Sequence, residues 1–207
     1  MGNRDKYMYG NGTLISLPSR KPLRSWSLAN EWVLHDSYRV ELKTSDGRRV
    51  AIWEDEEGLW IEECSNTTCL SAGKVALPSF ENHSRAPLLR VLHHEMLINI
   101  VDGGPVPNLL VYRKPWYRDA ALVCMALEKT GNLHLCQEWI CGLAEPFDRN
   151  NAGNCEPDNL GQALYLVSLV TDASHPLVPE LLAAAEQVTG DAHLTGLTDF
   201  GEHPVYQ

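Results

Sequence analysis

Ala120-Ala121-Leu122-Val123-Cys124-Met125-Ala126-Leu127 is apolar on every side of a helix, and such a helix has to be covered on nearly every side. Most of residues 160–170 reads the same way. The helices expected over 133–143 and 176–188 are more one-sided. In the latter, Leu177, Leu181, Leu182 and Ala185 oppose Glu180 and Glu186. All-apolar and one-sided helices thus alternate along the chain. Two concentric rings, with inner helices covered by outer ones, require that alternation. A four-helix bundle would show four similar stripes instead.

Working outward, a helix is expected over 85–101, where Leu88, Leu89, Leu92, Met96 and Ile100 recur at helical spacing. A second covers 117–129 and breaks at Thr130-Gly131-Asn132. The fourth, 158–170, starts with Asp158 as N-cap behind Pro157, and the fifth starts at Pro176. Towards the amino terminus the period changes to two. Residues 38–44 alternate, Asp46-Gly47 signals a turn, and 49–53 and 59–63 flank a second turn at Glu56-Glu57-Gly58. A three-stranded meander is expected over about 32–64. The predicted organisation is an arm or loop over 1–30, a small antiparallel β region over 31–84 and a helical segment over 85–207. The predicted fold class is mainly α with a small β meander.

Composition narrows the function classes. The 207 residues are 44% apolar and 21% charged, as in ordinary soluble domains. The longest apolar run, near 88–101, is interrupted by Arg90, His93, His94, Glu95 and Asn99, so no stretch reaches the roughly 18 apolar residues of a membrane span. The net charge of −10 disfavours non-specific binding to nucleic acid or anionic membrane. The first residues lack the apolar run of a secretory signal. Lys6 stands where a myristoylation motif wants Ser or Thr. The six cysteines are therefore expected as reduced thiols of a cytoplasmic protein. The sequons at Asn11, Asn66 and Asn82 carry no meaning there.

Chemistry-bearing residues gather just ahead of the two all-apolar helices. Trp116-Tyr117-Arg118-Asp119 opens one. Asp148-Arg149-Asn150-Asn151-Ala152-Gly153-Asn154-Cys155-Glu156-Pro157-Asp158-Asn159 leads into the other. In a double ring both connections emerge at one rim. Carboxylates, amides and a guanidinium at one rim suit sugar hydroxyls. Trp116 and Tyr117 would offer an apolar platform. A carboxyl held among aromatics can keep a proton to donate to a glycosidic oxygen. Plain structural roles remain open for the same residues: an ion pair or helix-end charge for Arg118 and Asp119, capping for Glu156 and Asp158, a polar turn for 148–151.

Trp116-Tyr117-Arg118-Asp119-Ala120-Ala121-Leu122 resembles the W-x-R-D-[AS]-A-L stretch of the six-hairpin (α/α)6 toroid glycosidase superfamily, glucoamylase-like enzymes in particular. The resemblance covers about 93–207 and is similar to an uncharacterised bacterial-type branch. It implies a partial (α/α)6 toroid in which Arg118 and Asp119 bind hydroxyls of the sugar being cleaved. It also implies a general acid in the loop before the next inner helix, with Glu156 first and Asp158 second. Asn151 and Asn159 complete the expected substrate-binding set. The substrate implied is an oligosaccharide, and no cofactor is expected. Five helices are far short of a full ring, and no late Glu matches the family's general base. The expectation is an amino-terminal part of a larger enzyme, whose exposed helix faces would support self-association.

Two other readings stay open. A sugar epimerase or lyase of the same architecture would use His93, His94 or Tyr117 as base. A carbohydrate-binding or scaffold protein would keep Arg118 and Asp119 without catalysis. No metal site is expected. His93 and His94 diverge on a helix, and Cys136 and Cys141 do not share a face. Cys64 and Cys69 form the best alternative metal or disulfide pair. Asn99, Asp102, Asn108 and Arg113 approach the Arg-Asp motif, but Gly103-Gly104-Pro105 among them mostly signals a turn.

Overall fold

The computed structural model describes residues 4–17, 19–34, 37–112, 114–149, 155–156 and 158–190. The fold is mixed α/β, with about 29% strand in three antiparallel sheets and 33% helix. This overturns the mainly-α expectation and with it the partial toroid. The chain divides into two units, Met1–Ile98 and Asn99–Gln207.

In the first unit, β1 (Tyr7–Gly10), β2 (Thr13–Ser16) and β3 (Lys21–Ser25) form a three-stranded antiparallel sheet in chain order. These residues fall within the stretch expected as arm or loop. The reason is the Asn11-Gly12 pair. Both residues take positive φ, 46° and 72°, the conformation of a tight two-residue hairpin turn. A Cβ on Gly12 would lie 2.5 Å from the Trp26 carbonyl oxygen. Gly12→Ala is therefore expected to destabilise this unit by at least about 1–2 kcal/mol. An unchanged urea midpoint followed by tryptophan fluorescence would contradict that.

A second sheet runs β4 (Leu28–Leu34), β5 (Arg39–Thr44), β6 (Arg49–Glu54), β7 (Gly58–Glu63) and β8 (Asn66–Ala72), each antiparallel to the next. The middle three match the expected meander. Alternation places Val40, Leu42, Val50, Ile52, Leu59 and Ile61 on one face, with Val40 opposite Ile52, Leu42 opposite Val50, and Ile52 opposite Ile61. That face meets Leu14 from β2. Leu14, Leu42, Val50, Ile52 and Ile61 make the core, with Tyr7, Tyr9, Trp26 and Leu28 packed against it. On the other face the register aligns Leu34, Arg39, Trp53, Trp60 and Cys69. Trp53 and Trp60 stack at 6.5 Å between centroids, and the Arg39 guanidinium lies 5.1 Å from the Trp53 ring centre, a favourable cation–π distance.

Helix α1 (Ala86–Ile98) closes the first unit. Its buried residues are Ala86, His93 and Leu97. The Lys6 ammonium donates to the Leu97 carbonyl at 2.9 Å, supplying a partner to one of the open carbonyls at the helix end. His94 faces Glu54 at the end of β6, Nε2 to Oε2 2.5 Å. The other Glu54 oxygen accepts from Arg4 at 2.7 Å. Arg4 is 7% exposed at its side chain and also donates to the carbonyls of Gly73 and Asp55.

The second unit begins with a short hairpin, β9 (Ile100–Val101) and β10 (Gly104–Pro105), turned at Asp102 and Gly103 with φ of 50° and 80°. Then come α2 (Tyr117–Lys129), a 3-10 turn at Leu133–Leu135, α3 (Gln137–Cys141), α4 (Asn159–Val170) and α5 (Leu177–Gly190). The helix expected over 133–143 is thus a 3-10 turn followed by a short helix. α4 packs against α2, α3 and α5. Ala120, Cys124 and Leu127 on α2 and Ala163, Leu166 and Val167 on α4 are buried. Their spacing of three and four residues puts each set on one helix face. The expectation that α2 and α4 are covered all round fails: Leu122 is 63% exposed, Met125 45% and Leu164 38%. Each helix is one-sided in practice, so no outer ring encloses it. Among the described residues no helix is long and apolar enough to cross a membrane.

Candidate functional site

The first turn of α2 organises a polar group in the second unit. Trp116 precedes the helix in extended conformation and makes no side-chain cap. The open N–H groups of such a turn attract acceptors. The Tyr117 N–H donates to Oδ2 of Asp148. The Tyr117 hydroxyl donates to the Glu145 carbonyl at 2.7 Å, fastening the segment that carries Asp148. The phenol is pushed up to about 12 by burial, helped by the charges of Asp148 and Glu145. Tyr117 is buried, so it supports this loop from beneath and is not the open platform expected of it. Exposed Tyr112 pairs with half-buried Trp116, 5.5 Å between centroids.

Arg118 bridges two carboxylates. Its Nε donates to Asp158 Oδ2 at 2.9 Å, and a terminal nitrogen donates to Glu156 Oε2 at 2.5 Å. The guanidinium side chain is 36% exposed, whereas those of Glu156 and Asp158 are mostly buried. Gln162 Nε2 donates to the same Asp158 oxygen at 2.9 Å, and Asn159 Nδ2 reaches Gln162 Oε1 at 3.4 Å. Asp158 stands at the N-cap position of α4 but makes no side-chain cap. Its carboxylate is drawn away by Arg118 and Gln162, which corrects the capping expectation. Asp158 Oδ1 and Asn159 Oδ1 are buried and accept no hydrogen bond among the described residues. Buried acceptors left without a donor are uncommon in folded proteins.

The structure thus brings together Tyr117, Arg118, Glu156, Asp158 and Asn159 of the expected set. Asp119 lies half-buried in the same first turn, where the helix dipole favours a negative charge. Asn151 lies outside the described residues. Gln162 and Asp148 were not singled out. Gln162 sits at i+4 from Asp158, a pairing distance on a helix, so its signal was present. Asp148 lies in the stretch 148–151 that reads as a polar turn. Its carboxyl is held above the usual aspartate range, first by burial and also by the Asp158 charge. The Tyr117 N–H and the Lys114 and Arg118 charges only partly offset this.

The remaining candidates have structural positions. His93 is buried edge-on to Phe80, 6.1 Å between centroids. Asn99 and Asn108 accept main-chain N–H groups of 109–111 with their side chains, which is turn-building work. Arg113 is outside the described residues. All six cysteines are free thiols. Among the described residues no three His, Cys, Asp or Glu side chains are grouped to hold a metal ion. No protein family, curated protein or solved structure matches the chain.

Proposed function

We propose that the second unit recognises a neutral oligosaccharide through Arg118, Glu156, Asp158, Asn159 and Gln162, in the manner of a glycoside hydrolase-like protein. The observation that carries this is the half-exposed guanidinium set between two carboxylates, beside two buried acceptors that have no donor among the described residues. A sugar hydroxyl both donates and accepts. Neighbouring hydroxyls can therefore take guanidinium N–H groups and supply protons to carboxylate and amide oxygens at once. An anionic ligand is disfavoured, because Glu156 and Asp158 already take up the charge of Arg118. The free thiols suit a reducing compartment such as the cytoplasm.

A second reading, binding without turnover, is favoured by Glu156. Its carboxylate is engaged by Arg118 at 2.5 Å, the position of a group that holds the guanidinium in place. Proton donation from Glu156 is correspondingly less supported than the sequence implied.

Calorimetric titration with a panel of neutral oligosaccharides tests recognition, and reducing-sugar release in the same samples separates the two readings. Arg118→Met is expected to weaken binding by roughly 10- to 100-fold, the loss of hydrogen bonds to a charged group. Arg118→Lys is expected to rescue little, because a point charge does not span two partners. Circular dichroism confirms that both variants fold. Undiminished affinity in folded Arg118→Met would remove the site from consideration.

A further inference from the structure

Helix α1 is held to the first unit by one face. Ala86, His93 and Leu97 are buried, His93 lies against Phe80, and Lys6 and Glu54 tie the helix through the Leu97 carbonyl and His94. The opposite face carries Leu88, Val91 and Leu92, which are 48%, 40% and 51% exposed. Their spacing of three and four residues makes one continuous stripe. Exposed charged residues stand at its two ends, Arg85 just ahead of the helix and Glu95 in its last turn. Positions 85, 88, 92 and 95 step by three, four and three, the spacing of a helix–helix seam. An apolar patch rimmed by charged residues marks an association surface. The other exposed apolar run of this unit, Trp32-Val33-Leu34 on β4, shares its strand with a single charged residue, Glu31. It has nothing of opposite sign to set a register with a copy of itself.

We propose that this stripe binds a second copy of the chain, with α1 antiparallel to the partner's α1 about a two-fold axis at the level of Arg90. A two-fold contact needs a self-complementary surface. Position 90 is the midpoint of Arg85 and Glu95 and also of Leu88 and Leu92. One axis therefore sets Leu88 against the partner's Leu92 and Arg85 against the partner's Glu95, each pair occurring twice, with Val91 close to the axis. Along the helix the charged residues stand about 15 Å apart and the leucines about 6 Å, and a reversed copy presents the same intervals. A parallel pairing would set Arg85 beside the partner's Arg85 and Glu95 beside the partner's Glu95. Like-charge repulsion and aligned helix dipoles disfavour that. The seam belongs to the first unit and does not draw on the sugar site. One seam of about three turns is smaller than a standard interface. The dimer is accordingly weak, half-formed at roughly 10–100 μM.

Sedimentation velocity of the full chain, from about 1 μM to about 1 mM, reads the association. Leu92→Asp is expected to raise the dissociation constant by at least about 30-fold, because a carboxylate then enters the apolar seam twice. Arg85→Glu and Glu95→Arg are each expected to raise it by about 5- to 30-fold, since each turns two attractions into two repulsions. The double variant Arg85→Glu with Glu95→Arg restores both pairs and is expected within about 3-fold of wild type. That rescue is specific to a reversed second copy. A partner of any other kind would meet both charges inverted. All three side chains are exposed in the single copy, so circular dichroism at low concentration is expected to show each variant folded. Wild-type protein that stays monomeric to about 1 mM overturns the proposal. So does a dimer indifferent to Leu92→Asp, which would place the contact elsewhere, as at the β4 edge. Single charge reversals that loosen the dimer without recovery in the double variant overturn the antiparallel pairing on which the proposal stands.

Discussion

Arg4→Ala is expected to destabilise the first unit by about 3–5 kcal/mol, the cost of leaving a buried ion pair without one partner. Arg4 lies within a few residues of the start of the chain, where side chains ordinarily contribute little. Here its guanidinium is 7% exposed and reaches Glu54 and the carbonyls of Gly73 and Asp55. Its removal strands a mostly buried carboxylate and two carbonyls. Urea unfolding followed by tryptophan fluorescence measures the loss, and a variant within about 1 kcal/mol of wild type would refute the buried clamp. Acid sensitivity gives an independent readout. Burial alone pushes the Glu54 carboxyl up. The hydrogen bond from His94 and the charges of His94 and Arg4 outweigh burial and hold it below the ordinary glutamate range. A lowered folded value means that the folded state favours the charged form. This stabilisation is complete above the unfolded glutamate value of about 4.3 and disappears as pH falls through the folded value. Arg4→Ala should flatten that acid limb, and Glu54→Gln should abolish most of it.

Leu166→Ala is expected to cost the second unit about 2–5 kcal/mol. Leu166 is fully buried on α4, the helix that packs against α2, α3 and α5, so the cavity has little room to collapse. Leu164→Ala, two residues away on the exposed side of α4, should cost under about 1 kcal/mol. The contrast checks the rotation of α4 directly. Equal effects at 164 and 166 would mean that the helix faces another way. Leu166 lies about 12 Å along the helix from Asp158, so the loss should appear as stability before it appears as altered ligand affinity.

The parts of the fold that local chemistry dictates were readable. Asp46-Gly47 and alternating residues around it announced β5 and β6, and the apolar spacing announced α1, α2, α4 and α5 within a few residues. β1–β3 carry one strong hairpin signal, Asn11-Gly12, inside a stretch whose Gly, Pro, Ser and Arg content reads as loop. β8 had no such signal: its turn is made by Cys64 and Ser65 at φ of 52° and 65°, residues that rarely take that conformation. The larger error was architectural. An all-apolar sequence demanded enclosure, yet α2 and α4 keep Leu122, Met125 and Leu164 in the open. Periodicity alone did not show which side is covered.

The candidate site was legible as composition and not as connectivity. Arg118, Glu156 and Asp158 were named together, and the structure joins them by two ion pairs. That Asp158 would serve Arg118 in place of its own helix end depends on tertiary approach, as does the burial of Asp148.

The distribution of thiols turns the protein into its own reporter. Cys124 and Cys136 are buried, while Cys64, Cys69, Cys141 and Cys155 are exposed. Both sheltered sulfurs belong to the second unit. A thiol reagent should therefore consume four groups at once and then stall, with the last two reacting only when that unit opens. The slow phase is a stopwatch for one half of the chain, running without any introduced label.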